Sequence, residues 1–381
     1  MVDAAPWVEH FSLDPDRVWI NASHQGPLPD VAAEAATDAI RWKQRPNHLI
    51  TPELFTSVPE RLRAGFASVI GARSDQIALA NSASYGLHVV ANGLGLGAGD
   101  EVVVAANDFP SDILPWRNLA ADGVTVRAIE PEGRVVTADE IAAAITPRTR
   151  VLCLTWVHSL SGQVIDLDAI GSICRANGVV FVVNGSQGVG GVPIQVADHP
   201  IDALVSVGFK YLCGPYGTGL CWLSPQLQDR LRPAKLYWLS SLTADDLAQP
   251  RLDLDGLELP TGAARHDVFG TANFFNFAAL GASVELISTI GVEPIYRHNL
   301  ALAEDLIARL DPTRYEVQPR GPEHRRSAVV FVRPLAEDLA SFGRRLDGAG
   351  IDVAKRAGLA RFSPHLYNTS DDIDRIADAL R

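Results

Sequence analysis

The 381-residue chain predicts an α/β protein: a large domain on a mostly parallel β-sheet, followed by a smaller α+β C-terminal domain. Three observations predict it. Short apolar runs alternate with helical stretches through the first half of the chain, the pattern of a parallel sheet covered on both faces. Polar residues cluster where those runs end, at Asn81-Ser82-Ala83-Ser84, Asp108 to Asp112, His158-Ser159, Asn184 to Gln187 and Phe209-Lys210. The carboxyl ends of parallel strands are where such sheets bind ligands. Beyond residue 260 the alternation gives way to long helices around one strand.

Taken in order, Leu54, Phe55, Val58, Leu62, Phe66, Val69 and Ile70 recur at helical spacing and predict a helix over 53–71. Ile77–Ala80 reads as a strand, Ser84–Leu94 as a helix, and Glu101–Ala105 and Val124–Ile129 as strands. Thr137, ahead of Asp139 and Glu140, caps a helix over Ala138–Ile145. Val151–Trp156 is a strand, Asp168–Ala176 a helix ended by Asn177-Gly178, and Val179–Val183 a strand. Asp202 to Val205 is a further strand-like run. Residues 226–262 lack periodicity and read as a long crossover or lid-like loop. Phe274–Ile290, Glu293–Leu310, Leu335–Ala349 and Asp371–Leu380 read as helices, and Ala328–Val332 as a strand. The resulting division is an N-terminal segment (1–20), a large domain (21–262) and a small C-terminal domain (263–381) with which the N-terminal segment can pack.

A net charge of −12 without a long basic run argues against nucleic acid as a partner. Met1 to Phe11 carries acidic residues and no apolar core, so no signal peptide is expected there. No apolar run approaches the ~20 residues of a membrane span. Cys153, Cys174, Cys213 and Cys221 lie in or beside apolar segments without metal-ligand spacing. They read as reduced packing residues in a cytoplasmic protein, and no metal site is expected. The run Gly93 to Gly99 follows a helix and precedes a strand, the reverse of a dinucleotide loop.

The chemistry centres on Lys210, in Ser206-Val207-Gly208-Phe209-Lys210-Tyr211-Leu212-Cys213-Gly214-Pro215. A lysine at a strand end in a glycine-rich turn is placed to form a Schiff base with an aldehyde cofactor. Upstream, another strand ends in Asn184-Gly185-Ser186-Gln187-Gly188. The two segments resemble the class V aminotransferase family of pyridoxal-phosphate (PLP) enzymes, and the resemblance covers nearly the whole chain. It implies the fold-type-I PLP-dependent transferase fold, with Lys210 carrying the cofactor and later moving the Cα proton of an amino-acid substrate. It also implies the roles that follow.

Trp19 to Pro29 looks like the family's opening loop at the substrate pocket, bringing Asn21 and His24 to the substrate; taken alone, the stretch is a generic turn. Ala83 and Ser84 would cradle the cofactor phosphate at a helix N-terminus, where a plain serine cap is the simpler reading. Ser206, at the head of the lysine string, joins the cofactor set. Phe109 would lay its face on the pyridine ring; its Phe-Pro-Ser-Asp setting resembles the kynureninase and isopenicillin-epimerase branches. Ser159 and Gln187 fall where the family contacts the cofactor's phenolic oxygen. His158 reads either as an acid/base or as a strand-end polar residue. Gly270-Thr271 resembles the segment whose threonine reaches the phosphate of a partner subunit, implying a homodimer with shared active sites. Arg361, in Ala360-Arg361-Phe362-Ser363-Pro364-His365-Leu366-Tyr367-Asn368-Thr369, matches the arginine that clamps the substrate α-carboxylate.

Two departures matter. The family places an aspartate opposite the pyridine nitrogen, where this chain has Asn184. A carboxylate there favours the pyridinium that makes PLP a strong electron sink. Either the enzyme uses a weakened sink, or Asp112 supplies the charge, or the site is inactive. The second departure is the stretch Lys355 to Arg361, which holds no cysteine where the family's desulfurases place their persulfide-forming one. A thiolate nucleophile has no substitute in Leu or Ala. The expectation is therefore β-elimination from an S-substituted cysteine, with epimerisation or a decarboxylating or oxidative variant as alternatives. A non-catalytic PLP-retaining protein is the rival from another class.

Overall fold

The computed structural model describes residues 7–232, 237–242, 244–252 and 260–381. Seven strands form the central sheet: β1 (Ile77–Ala80), β2 (Glu101–Ala105), β3 (Thr125–Ile129), β4 (Thr149–Thr155), β5 (Val180–Asn184), β6 (Ala203–Val207) and β7 (Gly219–Leu223). Their order is β1-β7-β6-β5-β4-β2-β3. All neighbours are parallel except β7, which runs antiparallel to both β1 and β6. The mostly parallel sheet is the one the alternating pattern predicts, and its strands are almost wholly buried except β3 at the edge.

Helices α1 (Asp30–Gln44), α2 (Leu54–Ile70), α3 (Ala83–Gly93) and α4 (Phe274–Ile290) belong to this body. On one face of the sheet, Leu62, Phe66 and Ile70 of α2 share a core with Phe277, Leu280, Val284 and Ile287 of α4. On the other, Leu87 and Val90 of α3 pack with Trp116, Val182 and Val205. A third core joins Val18 and Ile20 to Leu302 and Leu306 of α5 (Val292–Arg309), Val330 and Phe362, with Phe342 of α6 (Leu339–Gly348) and Ile376 of α7 (Ser370–Leu380). It is built on a four-stranded antiparallel sheet, β8 (Tyr315–Val317), β9 (Val330–Pro334), β10 (Ala354–Arg356) and β11 (Leu359–Phe362), ordered β10-β11-β9-β8. Val18 pairs in parallel with Ile351, stitching the N-terminal segment to this layer.

Local chemistry explains the element ends. Thr137 and Glu140 form a reciprocal capping box that starts the helix at Ala138. Helix α6 begins at Leu339, four residues later than the apolar pattern suggests. Asp338 Oδ1 accepts from the amides of Ala340 and Ser341 at 2.9 and 2.8 Å and fixes the start there. The sequence pattern leaves several elements unmarked, among them α1, β7 and the small-sheet strands β8, β10 and β11. Helix α1 buries only Ala32 and Ala39, so it carries no clear apolar stripe. Strand β7 is a five-residue apolar run behind a glycine-rich turn. The loop expected over 226–262 falls in part outside the described residues, as do residues 1–6; Pro225–Arg230, Trp238–Ser241 and Ala244–Ala248 are short helices. Among the described residues no single helix is long and apolar enough to cross a membrane.

One buried ion pair ties the sheet to its helical cover. Arg63 of α2 donates to both carboxylate oxygens of Asp267 at 3.0 and 2.8 Å, and the Leu79 amide donates to Asp267 Oδ1 at 2.8 Å. Removing one partner of a buried pair costs about 3–5 kcal/mol, because the other charge is left uncompensated. Asp267→Ala is therefore expected to lower the urea midpoint markedly. A midpoint equal to that of the unaltered protein would show that the pair does not secure α2.

Candidate active site

The site grows from the register of the parallel strands. Thr155 ends β4, Asn184 ends β5, and the two are direct partners in the ladder. Side chains at the last rung of adjacent strands project together at the carboxyl edge. Here both are donors, and both donate to Asp112: Thr155 Oγ1 to Oδ2 at 2.6 Å, and Asn184 Nδ2 to Oδ1 at 2.6 Å. Asp112 is fully buried. Burial raises its pKa above the carboxylate range, and the neighbouring Asp108 charge adds to the rise. Asn184 Oδ1 in turn accepts from the Ser186 amide at 3.0 Å, which fixes the amide so that nitrogen faces the carboxylate. Asp108 Oδ2 accepts from the Thr155 amide at 3.1 Å.

Lys210 follows β6 in a turn closed by Gly208 N–H to the Thr218 carbonyl and Gly214 N–H to the Gly208 carbonyl. The opening loop locks onto it through Gly26 N–H and the Phe209 carbonyl, at 2.9 Å. Only glycine permits that approach: a Cβ on Gly26 would lie 2.3 Å from the Lys210 carbonyl oxygen. Lys210 Nζ stands 5.8 Å from the centroid of Phe109, whose ring is half exposed. Burial and, after it, the Arg361 charge lower the lysine pKa to about 8, against an opposing pull from Asp112.

Arg361 of β11 is 3% exposed, yet among the described residues no carboxylate pairs with it. Its Nη1 donates to the Ser159 carbonyl at 3.3 Å, and its Nε has no partner. Burial brings its pKa down to about 10. An unpaired buried guanidinium is costly, and it is a receptor for an incoming carboxylate. For His24, in the opening loop, partial burial and then the charges of Arg356, Arg361 and Lys210 lower the pKa. Nearby, Asn21 is buried with Oδ1 unpaired, and Gln187 donates to the Ser23 carbonyl at 3.1 Å with Oε1 unpaired.

At the start of α3 the cap is Ser82, whose Oγ accepts from Tyr85 N at 3.1 Å. The amides of Ala83 and Ser84 thus form the first turn of the helix. Ser206 comes close to that turn: a Cβ on Gly219 would touch both the Ser206 carbonyl and Ser82. Thr271 is buried after Gly270, whose φ is +82°. His158 is differently placed. Its Nε2 lies 3.0 Å from the Asn107 carbonyl, an acceptor only, so Nε2 carries the proton and Nδ1 accepts from Ser161 Oγ at 2.9 Å. Both ring nitrogens are engaged within the protein. Thr155, Asp108 and Ser82 join the site as residues whose roles sequence reasoning left unassigned. Thr155 was legible as the rung beside Asn184 only once strand register was known.

A family model for class V aminotransferases matches residues 48–376. The chain belongs to that family. It is 28% identical to a probable cysteine desulfurase of Methanothermobacter thermautotrophicus, over 96% of this chain and 94% of that one. It is 27% identical to an isopenicillin N epimerase of Amycolatopsis lactamdurans, over 98% and 96%. Its fold matches that of the cystine C–S lyase C-DES, solved with its product cysteine persulfide, at a TM-score of 0.85, 22% identity and 96% and 97% coverage. The fold is that of the fold-type-I PLP enzymes, and the class V cofactor is pyridoxal phosphate.

The residues present fit that cofactor. A low-pKa amine, a half-exposed aromatic face, a helix N-terminus and a buried carboxylate–amide pair lie along the carboxyl edge of the central sheet. The unpaired polar atoms of Asn21, Gln187 and Arg361 are orphans that a polar ligand would satisfy.

Arg361 and Lys210 are coupled by like charge. In Arg361→Ala the Lys210 pKa is expected to rise above about 8, seen as a shift to higher pH in the acylation rate of the Lys210 peptide, followed by mass spectrometry. Amino-acid binding should fall by about 2–5 kcal/mol while cofactor binding persists. An unchanged labelling profile together with loss of the cofactor would refute the assignment.

Proposed function

We propose that this class V PLP enzyme is a C–S β-lyase, eliminating the sulfur substituent of an S-substituted cysteine without forming a protein persulfide. One observation carries the reading. β10 and β11 are joined by the two-residue turn Ala357-Gly358, both with positive φ (50° and 74°). This is where desulfurases of the family carry their nucleophilic cysteine, and a tight turn leaves no loop to hold one. The chain's four cysteines are all free and buried. Burial pushes the Cys174 and Cys221 thiols up to about 12, and raises those of Cys153 and Cys213 as well. A thiol held so far above neutrality supplies almost no thiolate.

Lys210 would hold the cofactor aldehyde, Ala83, Ser84 and Ser206 its phosphate, and Phe109 its ring face. Asn184 and Asp112 would sit on the ring-nitrogen side, with Ser159 and Gln187 near the phenolic oxygen. When bound, PLP supplies an electron sink for charge developing at Cα. Arg361 binds the substrate α-carboxylate, with Asn21 and His24 lining its approach. Lys210 Nζ, with a pKa near 8, exists partly as the free amine near neutral pH and takes the Cα proton. The thiolate then leaves Cβ, and hydrolysis of the remaining fragment gives pyruvate and ammonia. His158, with both nitrogens engaged, holds Asn107 and the 158–161 turn in place. Asp112 is the carboxylate that stands in for the family's aspartate, presented by the amide of Asn184. We also propose a homodimer in which Thr271, flanked by the exposed rings of Phe269 and Phe275, reaches the cofactor phosphate of the partner, and a cytoplasmic location.

Incubating the holoenzyme with S-alkyl cysteines is expected to release thiol, pyruvate and ammonia in equal amounts. Racemised substrate without these products would favour epimerisation, and a persulfide on any of the four cysteines would end the lyase reading.

The Asn184–Asp112 pair has its own test. Asp112→Asn should remove the charge and weaken the absorbance signature of a protonated ring. Asn184→Asp would set two carboxylates against each other, raising both pKa values, so little gain in activity is expected. If Asn184→Asp raises activity and Asp112→Asn is silent, the charge does not come from Asp112.

A further inference from the structure

The hairpin that lacks the nucleophilic cysteine carries a cation. In an antiparallel pair, directly opposed residues share a face, and alternate residues along a strand return to it. The register opposes Ala354 to Arg361, Lys355 to Ala360 and Arg356 to Leu359. Arg361, Ala354, Arg356 and Leu359 therefore stand on one face, Lys355 and Ala360 on the other. Packing agrees: Leu359 belongs to the core shared with the large sheet, Ala360 to the core of the small layer. Lys355 turns toward α6, its Nζ 3.0 Å from where a Gly343 Cβ would be. Arg356 is thus one same-face step from the carboxylate clamp, toward the hairpin tip, and exposed.

Its charge is felt by Lys210, Arg361 and His24. Among the described residues no carboxylate pairs with Arg356; its one hydrogen bond goes to the Lys355 carbonyl at 2.9 Å. The nearest acid acting on Lys210 is Asp112, already bonded to Thr155 and Asn184. Four cationic or protonatable groups are therefore within electrostatic reach of one another, with no free anion among them. One substrate α-carboxylate satisfies Arg361 and leaves Arg356 unmatched.

We propose that Arg356 is a specificity residue that binds a second anionic group, so that the preferred amino acid carries an acidic side chain. This deepens the lyase reading and rests on it for the substrate class: the sulfur substituent would itself bear a carboxylate or a comparable anion. Arg356 makes no contact with the reacting atoms. It selects by pairing with the distal charge, at a distance from Cα set by the step along β10.

The test compares isosteres that differ only in charge. With the holoenzyme, S-carboxymethyl-L-cysteine is expected to exceed S-carbamoylmethyl-L-cysteine in kcat/KM on the order of tenfold, the usual weight of a charge-assisted hydrogen bond. Arg356→Gln should collapse that ratio toward unity mainly by raising KM for the acidic isostere, and Arg356→Lys should restore most of it. High salt should narrow the ratio in the unaltered enzyme. A second pair, L-aspartate against L-asparagine, is read by binding alone through the cofactor absorbance. If neither conjugate is cleaved but aspartate is still preferred through Arg356, the lyase reading fails and the inference stands. If both pairs bind without preference, or Arg356→Gln weakens acidic and neutral members equally, the inference fails, whatever becomes of the lyase reading.

Discussion

The site depends on one constraint: a carboxylate, Asp112, buried at the ends of β4 and β5. Burying a charge in a low-dielectric interior is unfavourable unless donors surround it. The strand register brings Thr155 and Asn184 to the same rung, and both donate to this one side chain at 2.6 Å. Asn184 then makes sense as a partner and need not be a defect. An aspartate at 184 would face Asp112 at hydrogen-bond distance, with Asp108 behind it, and three carboxylates cannot all ionise there. The amide removes that conflict and donates to Asp112, the carboxylate proposed to take the role of the family's aspartate. On that proposal the carboxylate comes from the loop after β2 and not from the end of β5.

From Asp112 outward the electrostatics follow. In the proposed role Lys210 has to be basic enough to accept a proton and neutral often enough to do so. Burial and the Arg361 charge pull its pKa down while Asp112 pulls it up, and the balance falls at about 8. Arg361 is itself unpaired, so the pocket keeps excess positive charge until an anionic ligand arrives. Gly26 fixes these distances, because the opening loop rests directly on the backbone of the lysine turn.

Much of this was legible in the sequence, for physical reasons. Buried parallel strands are continuous apolar runs, so β2 and β5 were recognisable within a residue of their ends. The residue types that follow them gave Lys210, Asn184, Asp112 and Phe109 as candidates. Contacts set by register were not legible. Nothing in the order of residues says that Asn184 donates to Asp112, 72 positions away, or that Thr155 shares the task. His158 stayed open between an acid/base and a strand-end polar residue, because the Asn107 carbonyl and Ser161 hydroxyl that occupy it become neighbours only in the folded turn. Helix α1 escaped notice because alanines do its burying, and alanine marks no face.

The β10–β11 hairpin shows how one local choice sets both what the site lacks and what it offers. A two-residue turn with positive φ at both positions is the tightest connection two antiparallel strands accept, and Ala357 takes the less favourable left-handed conformation to make it. So short a turn extends no nucleophile over the pocket. It does hold the strands in strict alternation up to the tip, and strict alternation puts Arg356 on the face of Arg361. A longer, cysteine-bearing loop would break the alternation and release the arginine. If the lyase reading and the role proposed for Arg356 hold, the missing cysteine loop and the second anion-binding residue are two consequences of the same backbone.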